Sequence, residues 1–183
     1  MKDTLSNIID FWFVETQPKQ WFQKNSDFDD LITSRFEPDY DLAVKGIYDE
    51  WTRSAEGSLA LCVLLDQFPR NMFRDTPKAF ATDFKALAVA KNAIAYSFDE
   101  ILPAMQARFL YLPFEHSENL KDQETSMALF DKIKDDDPLG YDYAQRHYDV
   151  IKKFGRFPHR NQILERASTA EELAYLAKPD SGF

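Results

Sequence analysis

The sequence has a single cysteine, five glycines and nine prolines in 183 residues. One thiol, Cys62, excludes an internal disulfide. Its apolar surroundings, residues 59–65, mark it as a buried structural group, because a nucleophilic thiol needs a partly exposed, electropositive setting. So little glycine and proline rules out collagen-like and low-complexity chains, and turn residues are too sparse for a strand-rich fold. No calcium loop, Walker glycine loop or dinucleotide fingerprint occurs. No glycine-flanked serine follows a strand, which argues against a hydrolytic triad. The apolar run at 59–65 is too short to span a bilayer, and the start, Met1-Lys2-Asp3-Thr4, lacks a signal pattern. These absences predict a reduced, cytoplasmic protein with no bound cofactor.

What is present is a core. Hydrophobic residues make up 44% and aromatics 15% of the chain, too much for disorder. A formal net charge of -9 repels nucleic acid and anionic membrane, so neither is expected as a partner.

Hydrophobic spacing is helical nearly throughout, with no sustained strand alternation. Leu5, Ile8, Ile9, Trp12 and Phe13 form the first stripe. Ser26 begins a second helix, with Asp27, Asp29 and Asp30 at its positive end. Pro38 is expected to open a third segment reaching Trp51. Residues 58–68 are apolar all round and predict a central helix. Thr76-Pro77 reads as the cap of a long helix carrying Phe80, Phe84, Leu87 and Ile94 on one face. Pro103 opens the next helix, which Pro113 kinks or ends. Residues 121–134 form another, 135–140 a loop, and 141–154 a helix stopped by Gly155. Thr169-Ala170-Glu171-Glu172 is a capping box for a last helix, followed by a tail at Pro179, Asp180 and Gly182. About eight to ten helices in one domain over 1–183 are expected, closing an all-α fold.

Three polar motifs interrupt this packing pattern. Asp66-Gln67-Phe68-Pro69-Arg70-Asn71, followed by Arg74, is echoed by Gly155-Arg156-Phe157-Pro158-His159-Arg160-Asn161, followed by Arg166. In each, proline fixes a turn from which Arg and Asn depart at set angles. Guanidinium forks suit carboxylate or phosphate, but arginine at a helix end also bonds free carbonyls, and Asn can cap the next turn. Residues 146–166 carry +4 in an acidic chain, leaving -13 elsewhere. Such an island either binds a small anion or docks onto the protein's own acids, with Asp66 and the aspartate-rich loop as candidate partners. The third motif, Tyr111-Leu112-Pro113-Phe114-Glu115-His116-Ser117-Glu118, offers a carboxylate pair with a histidine for proton transfer or metal binding. It lacks the paired histidines of a zinc helix, and a tri-histidine site would need His116, His147 and His159 to converge. His147 lies on an apolar stripe and reads as a hydrogen-bonded core residue. Trp12, Trp21, Phe22 and Trp51 read as core, although Trp21-Phe22 could also wall a pocket.

Taken together, these three motifs, with Phe11-Trp12-Phe13, Trp21-Phe22, Trp51 and Ser168-Thr169-Ala170-Glu171-Glu172, resemble the uncharacterised bacterial family called domain of unknown function 924 over essentially the whole chain. The resemblance implies a tetratricopeptide-like, right-handed stack of antiparallel helices, and brings no assigned activity, cofactor or partner. One departure is Glu165, where glycine is expected before Arg166; a non-glycine residue tolerates positive φ poorly.

Three functional readings follow. In the first, a pocket takes a small anionic metabolite through Arg70, Asn71, Arg74, Arg156, Arg160 and Asn161. Arg156 and Arg160 clamp the anion, and the acid–base candidates are His116, Glu115, Glu118 and His159. In the second, the chain is a helical-repeat scaffold for a peptide or protein, and the motifs are corner devices. A metal-dependent enzyme at Glu115, His116 and Glu118 is a weaker third, and no metal site is predicted. Oligomeric state is not legible in the sequence.

Overall fold

The computed structural model describes residues 3–179 and 182. The tail expected at the C-terminus falls partly outside them, at Asp180. Among the described residues every regular element is helical. Helix α1 (Thr4–Asp10) is capped by Asp3, whose carboxylate accepts from the Ser6 amide at 2.8 Å. It runs into a π turn at Phe11–Glu15 that buries Phe11 and Trp12.

Helix α2 (Ser26–Val44) starts where its Asn cap and acidic first turn place it. It does not break at Pro38. The buried stripe Phe28, Ile32, Phe36, Tyr40 and Ala43 passes straight through that position. Pro38 sits on the exposed side, where a forfeited ladder bond costs least, and burial of the opposite face carries the helix on.

Helix α3 (Ala55–Cys62), a π turn at Val63–Gln67 and helix α4 (Phe68–Met72) form one continuous rod. Its all-round apolar sequence is matched by near-complete burial between α1, α2, α5 and α6. The π turn inserts one residue into the ladder, so the Phe68 amide donates to the Val63 carbonyl. The polar pair Asp66 and Gln67 is thereby held inside the rod, in full burial.

Thr76-Pro77 opens only a 3₁₀ turn, Pro77–Phe80, and helix α5 (Asp83–Ala95) begins after it. The buried face of α5 is Ala86, Ala90 and Ala93, while Phe84 is exposed, contrary to the aromatic face expected. Alanines let the α5 backbone approach the central rod closely, and larger side chains there would hold the two apart.

Helix α6 (Ala104–Glu115) runs through Pro113 instead of ending there, with residues 107–115 all buried. Helix α7 (Leu120–Lys132) follows, and helix α8 (Pro138–Phe154) starts three residues earlier than the loop reading allows. The reason is a cap: the Gly140 amide donates to the Asp137 carboxylate at 2.9 Å. A Cβ on Gly140 would stand 2.1 Å from Asp137 Oδ2, so only glycine fits. Gly155, at φ 69°, stops α8 in the left-handed conformation. Glu165 also adopts positive φ, 54°, so the turn keeps the backbone of a glycine without having one. Helix α9 (Ala170–Leu176) carries the expected reciprocal capping box between Thr169 and Glu172. Helices α5 to α8 each pack on the next in order. Among the described residues no helix is long and apolar enough to cross a membrane.

Candidate functional site

The ends of α3–α4 and α6, the start of α8 and the turn at 158–160 surround a cavity of about 570 Å³. Its apolar walls include Trp21, Phe22, Phe80, Leu112, Leu139 and Ile163. Its polar lining includes Arg70, Arg108, Arg160, Glu115, His116, His147 and His159. The Trp21-Phe22 pair does wall the pocket.

Asp66 lies behind this lining, in contact with His116, Gln67 and Arg70. His116 Nδ1 is 2.8 and 3.0 Å from the two Asp66 oxygens, and Asp66 also accepts from the Gln67 amide. Burial alone would raise the Asp66 pKa, but Arg70 and His116 outweigh it and hold the carboxyl at about 2. His116 is pushed below its ordinary value by burial and by Arg70, against the pull of Asp66. The neutral imidazole therefore donates from Nδ1 to Asp66, and Nε2 keeps its lone pair. Nε2 makes no hydrogen bond among the described residues.

The two Phe-Pro motifs converge. Arg70 holds Asp83 through both nitrogens, at 3.0 and 3.1 Å, and reaches Asp66 at 3.1 Å. Arg160, from the other motif, approaches the same Asp83 at 3.5 Å. Its guanidinium lies 4.4 Å from the Phe157 ring centroid and 4.7 Å from that of Phe80. Arg160 is 6% exposed, and its Nε makes no hydrogen bond among the described residues. Burial, then Arg70, lowers its pKa to about 10, so it stays charged at neutral pH.

The remaining residues of the two motifs divide. Asn71 and Arg74 line the cavity, but both are bound to Asp29, Arg74 through two bonds of 2.7 Å. Arg156 does not line it: the guanidinium holds Glu172 at 2.6 and 2.8 Å and the Ala167 carbonyl. Arg160 is therefore not joined by Arg156 in a clamp. Asn161 is also a corner device, donating to Ser168 and accepting from Arg166. Glu118 pairs with Arg166 at 2.7 and 2.9 Å and accepts from the Phe157 amide, outside the cavity. Arg146 and Lys153 likewise meet Asp142 and Glu171. Most of the basic island is thus matched by the protein's own acids, and Arg160 is its member facing the cavity.

Glu115 is 3% exposed and also lines the cavity. Burial raises its pKa to about 8, with Arg108 opposing, so the group is a neutral carboxylic acid at pH 7. Its Oε1 is 3.3 Å from His147 Nδ1, which lies 2.8 Å from the Tyr143 carbonyl; Oε2 has no hydrogen bond among the described residues. His147 is buried as expected and also lines the cavity; burial and His116 push its pKa well down. His159 is lowered to about 4 by burial and Arg160. The three histidines do share one cavity, yet among the described residues no group of three His, Cys, Asp or Glu side chains could hold a metal ion.

Sequence reasoning missed Asp83 and Arg108, and offered the aspartate-rich loop that holds Asp137 as a partner of the basic island, whereas Asp137 serves Arg108. Arg108 pairs with Asp137 at 3.0 Å and lies 4.6 Å from the Phe22 ring centroid. A lone arginine within the apolar helix 104–115 was the available signal for it. Asp83 had none, since it looks like an ordinary acid in a first helical turn.

The model of a family of bacterial proteins of unknown function matches residues 8–180. A solved structure of a protein of unknown function from Agrobacterium tumefaciens is similar at 40% identity and a TM-score of 0.90. The match covers 94% of this chain and 96% of that one. No curated protein matches.

Proposed function

The chain belongs to the bacterial family called domain of unknown function 924, and for this member we propose that the cavity binds a small anionic metabolite and moves a proton on it. One juxtaposition carries the reading. A buried guanidinium short of hydrogen bonds, Arg160, shares a cavity with His116, an imidazole oriented by a buried aspartate. Arg160 supplies the counter-charge. His116 Nε2 takes a proton from the bound molecule, and Asp66 stabilises the imidazolium that forms. Protonated Glu115 is a proton donor in the same cavity. His159, held at a lower pKa by the adjacent Arg160, is the weaker base. A scaffold for a peptide partner would not need a base–carboxylate pair inside a cavity.

Native mass spectrometry of gently purified protein tests the binding step. The expected result is an added small-molecule mass that Arg160→Ala loses and Arg156→Ala keeps. A bare polypeptide mass, or an adduct that survives Arg160→Ala, overturns the proposal.

A further inference from the structure

The charge and hydrogen-bond balance of the cavity narrows the ligand class. Each guanidinium lining it already has a carboxylate neighbour. Arg74 is matched by Asp29 and Arg108 by Asp137. Arg70 and Arg160 draw on Asp66 and Asp83. The histidines are neutral, and so is Glu115. Asp75, which also lines the cavity, is paired with Lys24, so among the described residues the cavity is near zero net charge at neutral pH, despite its many arginines. Bringing in an anion leaves an excess negative charge, and the desolvation cost of that charge grows with its square. One charge is tolerable against the poorly matched Arg160; two are not.

The unsatisfied groups point the same way. Arg160 Nε and Arg108 Nε are buried donors with no partner among the described residues, and Glu115 Oε2 is a third orphan, which as an acid also donates. Buried polar groups are rarely left unpaired without a functional reason. Two unpartnered guanidinium nitrogens on lining residues call for a ligand that accepts. The rest of the lining includes Phe22, Leu112, Leu139 and Ile163, which can satisfy only hydrocarbon.

We infer that the ligand is a monocarboxylate with an apolar body: the carboxylate lies against Arg160 and Glu115 Oε2, and the hydrocarbon against Phe22 and Leu139. Phosphate monoesters, dianionic at neutral pH, are discriminated against. The inference rests on the anion-pocket reading above.

Isothermal titration at pH 7 with 4-phenylbutanoate, acetate and phenyl phosphate separates the two. The expected order is phenylbutanoate tightest, by at least tenfold over either other probe. Arg160→Gln weakens phenylbutanoate at least tenfold, and Arg160→Lys, which keeps the charge without the fork, gives a smaller loss. Helical circular dichroism of both variants reports that they fold. If Arg160→Gln fails to fold, Arg160→Lys alone carries the test, and unchanged affinity in it overturns the assignment. Phenyl phosphate binding as tightly, in an Arg160-dependent way, overturns the carboxylate class and leaves the anion pocket standing. Acetate binding as well as phenylbutanoate overturns the apolar body. No binding by any probe, or binding indifferent to Arg160, overturns both readings.

Discussion

Replacing Glu115 with glutamine should stabilise the protein at neutral pH, although it changes a carboxyl in the middle of the site. Glutamine is nearly the shape of the protonated acid. Its Oε1 can keep the contact with His147, and its amide takes the place of a hydroxyl that makes no hydrogen bond among the described residues. The wild-type carboxyl titrates at about 8 in the folded chain against an ordinary 4.5. A folded pKa above the unfolded one means the folded state holds the proton more tightly. Stability from this group is therefore complete below pH 4.5 and declines as pH rises towards 8. At pH 7 the unfolded chain has gained ionisation over roughly 2.5 pH units that the folded chain has not, about 3 kcal/mol. Urea unfolding of both proteins at pH 4.5 and pH 7 measures it. Stabilities should be equal within about 0.5 kcal/mol at the lower pH and differ by about 3 kcal/mol, glutamine higher, at pH 7. Melting temperatures at pH 7 should separate by roughly 6–12 °C. A variant no more stable than wild type at pH 7 would show that Glu115 is ionised in the folded chain, and the proton-donor role would go with it.

The neighbouring carboxyl should behave in the opposite way. Asp66→Asn removes an acceptor held at about 2 against an ordinary 3.8, so it should cost about 2 kcal/mol at pH 7. That contribution is present above pH 3.8 and is lost as pH falls through 2; a pH series of urea midpoints down to pH 3 should show the gap beginning to close. Gly140→Ala drives a methyl into the Asp137 carboxylate that holds Arg108, and equilibrium unfolding should register a loss of about 2–4 kcal/mol. Glu165→Gly relieves a positive φ, and should raise stability by about 1 kcal/mol in the same assay. Arg156→Ala should speed amide exchange in α9 by releasing Glu172, with 4-phenylbutanoate affinity unchanged.

Sequence patterning was sufficient wherever one local force dominated. The α2 start, the Gly155 stop and the Thr169–Glu172 box each rest on a single cap or turn, and each stands where spacing put it. Pro38 misled because the penalty of proline is local, whereas the burial that overrides it is tertiary. The α5 face was misassigned for a related reason: hydrophobicity ranks Phe84 above Ala86, but close helix approach rewards the smaller side chain. At the site, the Asp66, Arg70, His116 and Arg160 motifs were visible because polar residues stood at proline turns in an apolar chain. Their division into lining and corner residues was not. Arg156 and Arg160 look equivalent four residues apart, and only the position of Glu172 separates them. Asp83 and Asp137 act through partners far along the chain, which no spacing encodes.

Asp83 has a further consequence, for the order in which the molecule matures. Both Phe-Pro turns address it through an arginine, and its partner Arg160 lies on the order of 80 residues downstream. Closing a loop of that length is slow relative to stacking one helix on the next. An early intermediate can thus hold Arg70 on Asp83 with the helical core in place, while the Arg160 side of the cavity is still absent. Helicity should recover first on refolding, and the ability to retain an anion should arrive as a later, separate event.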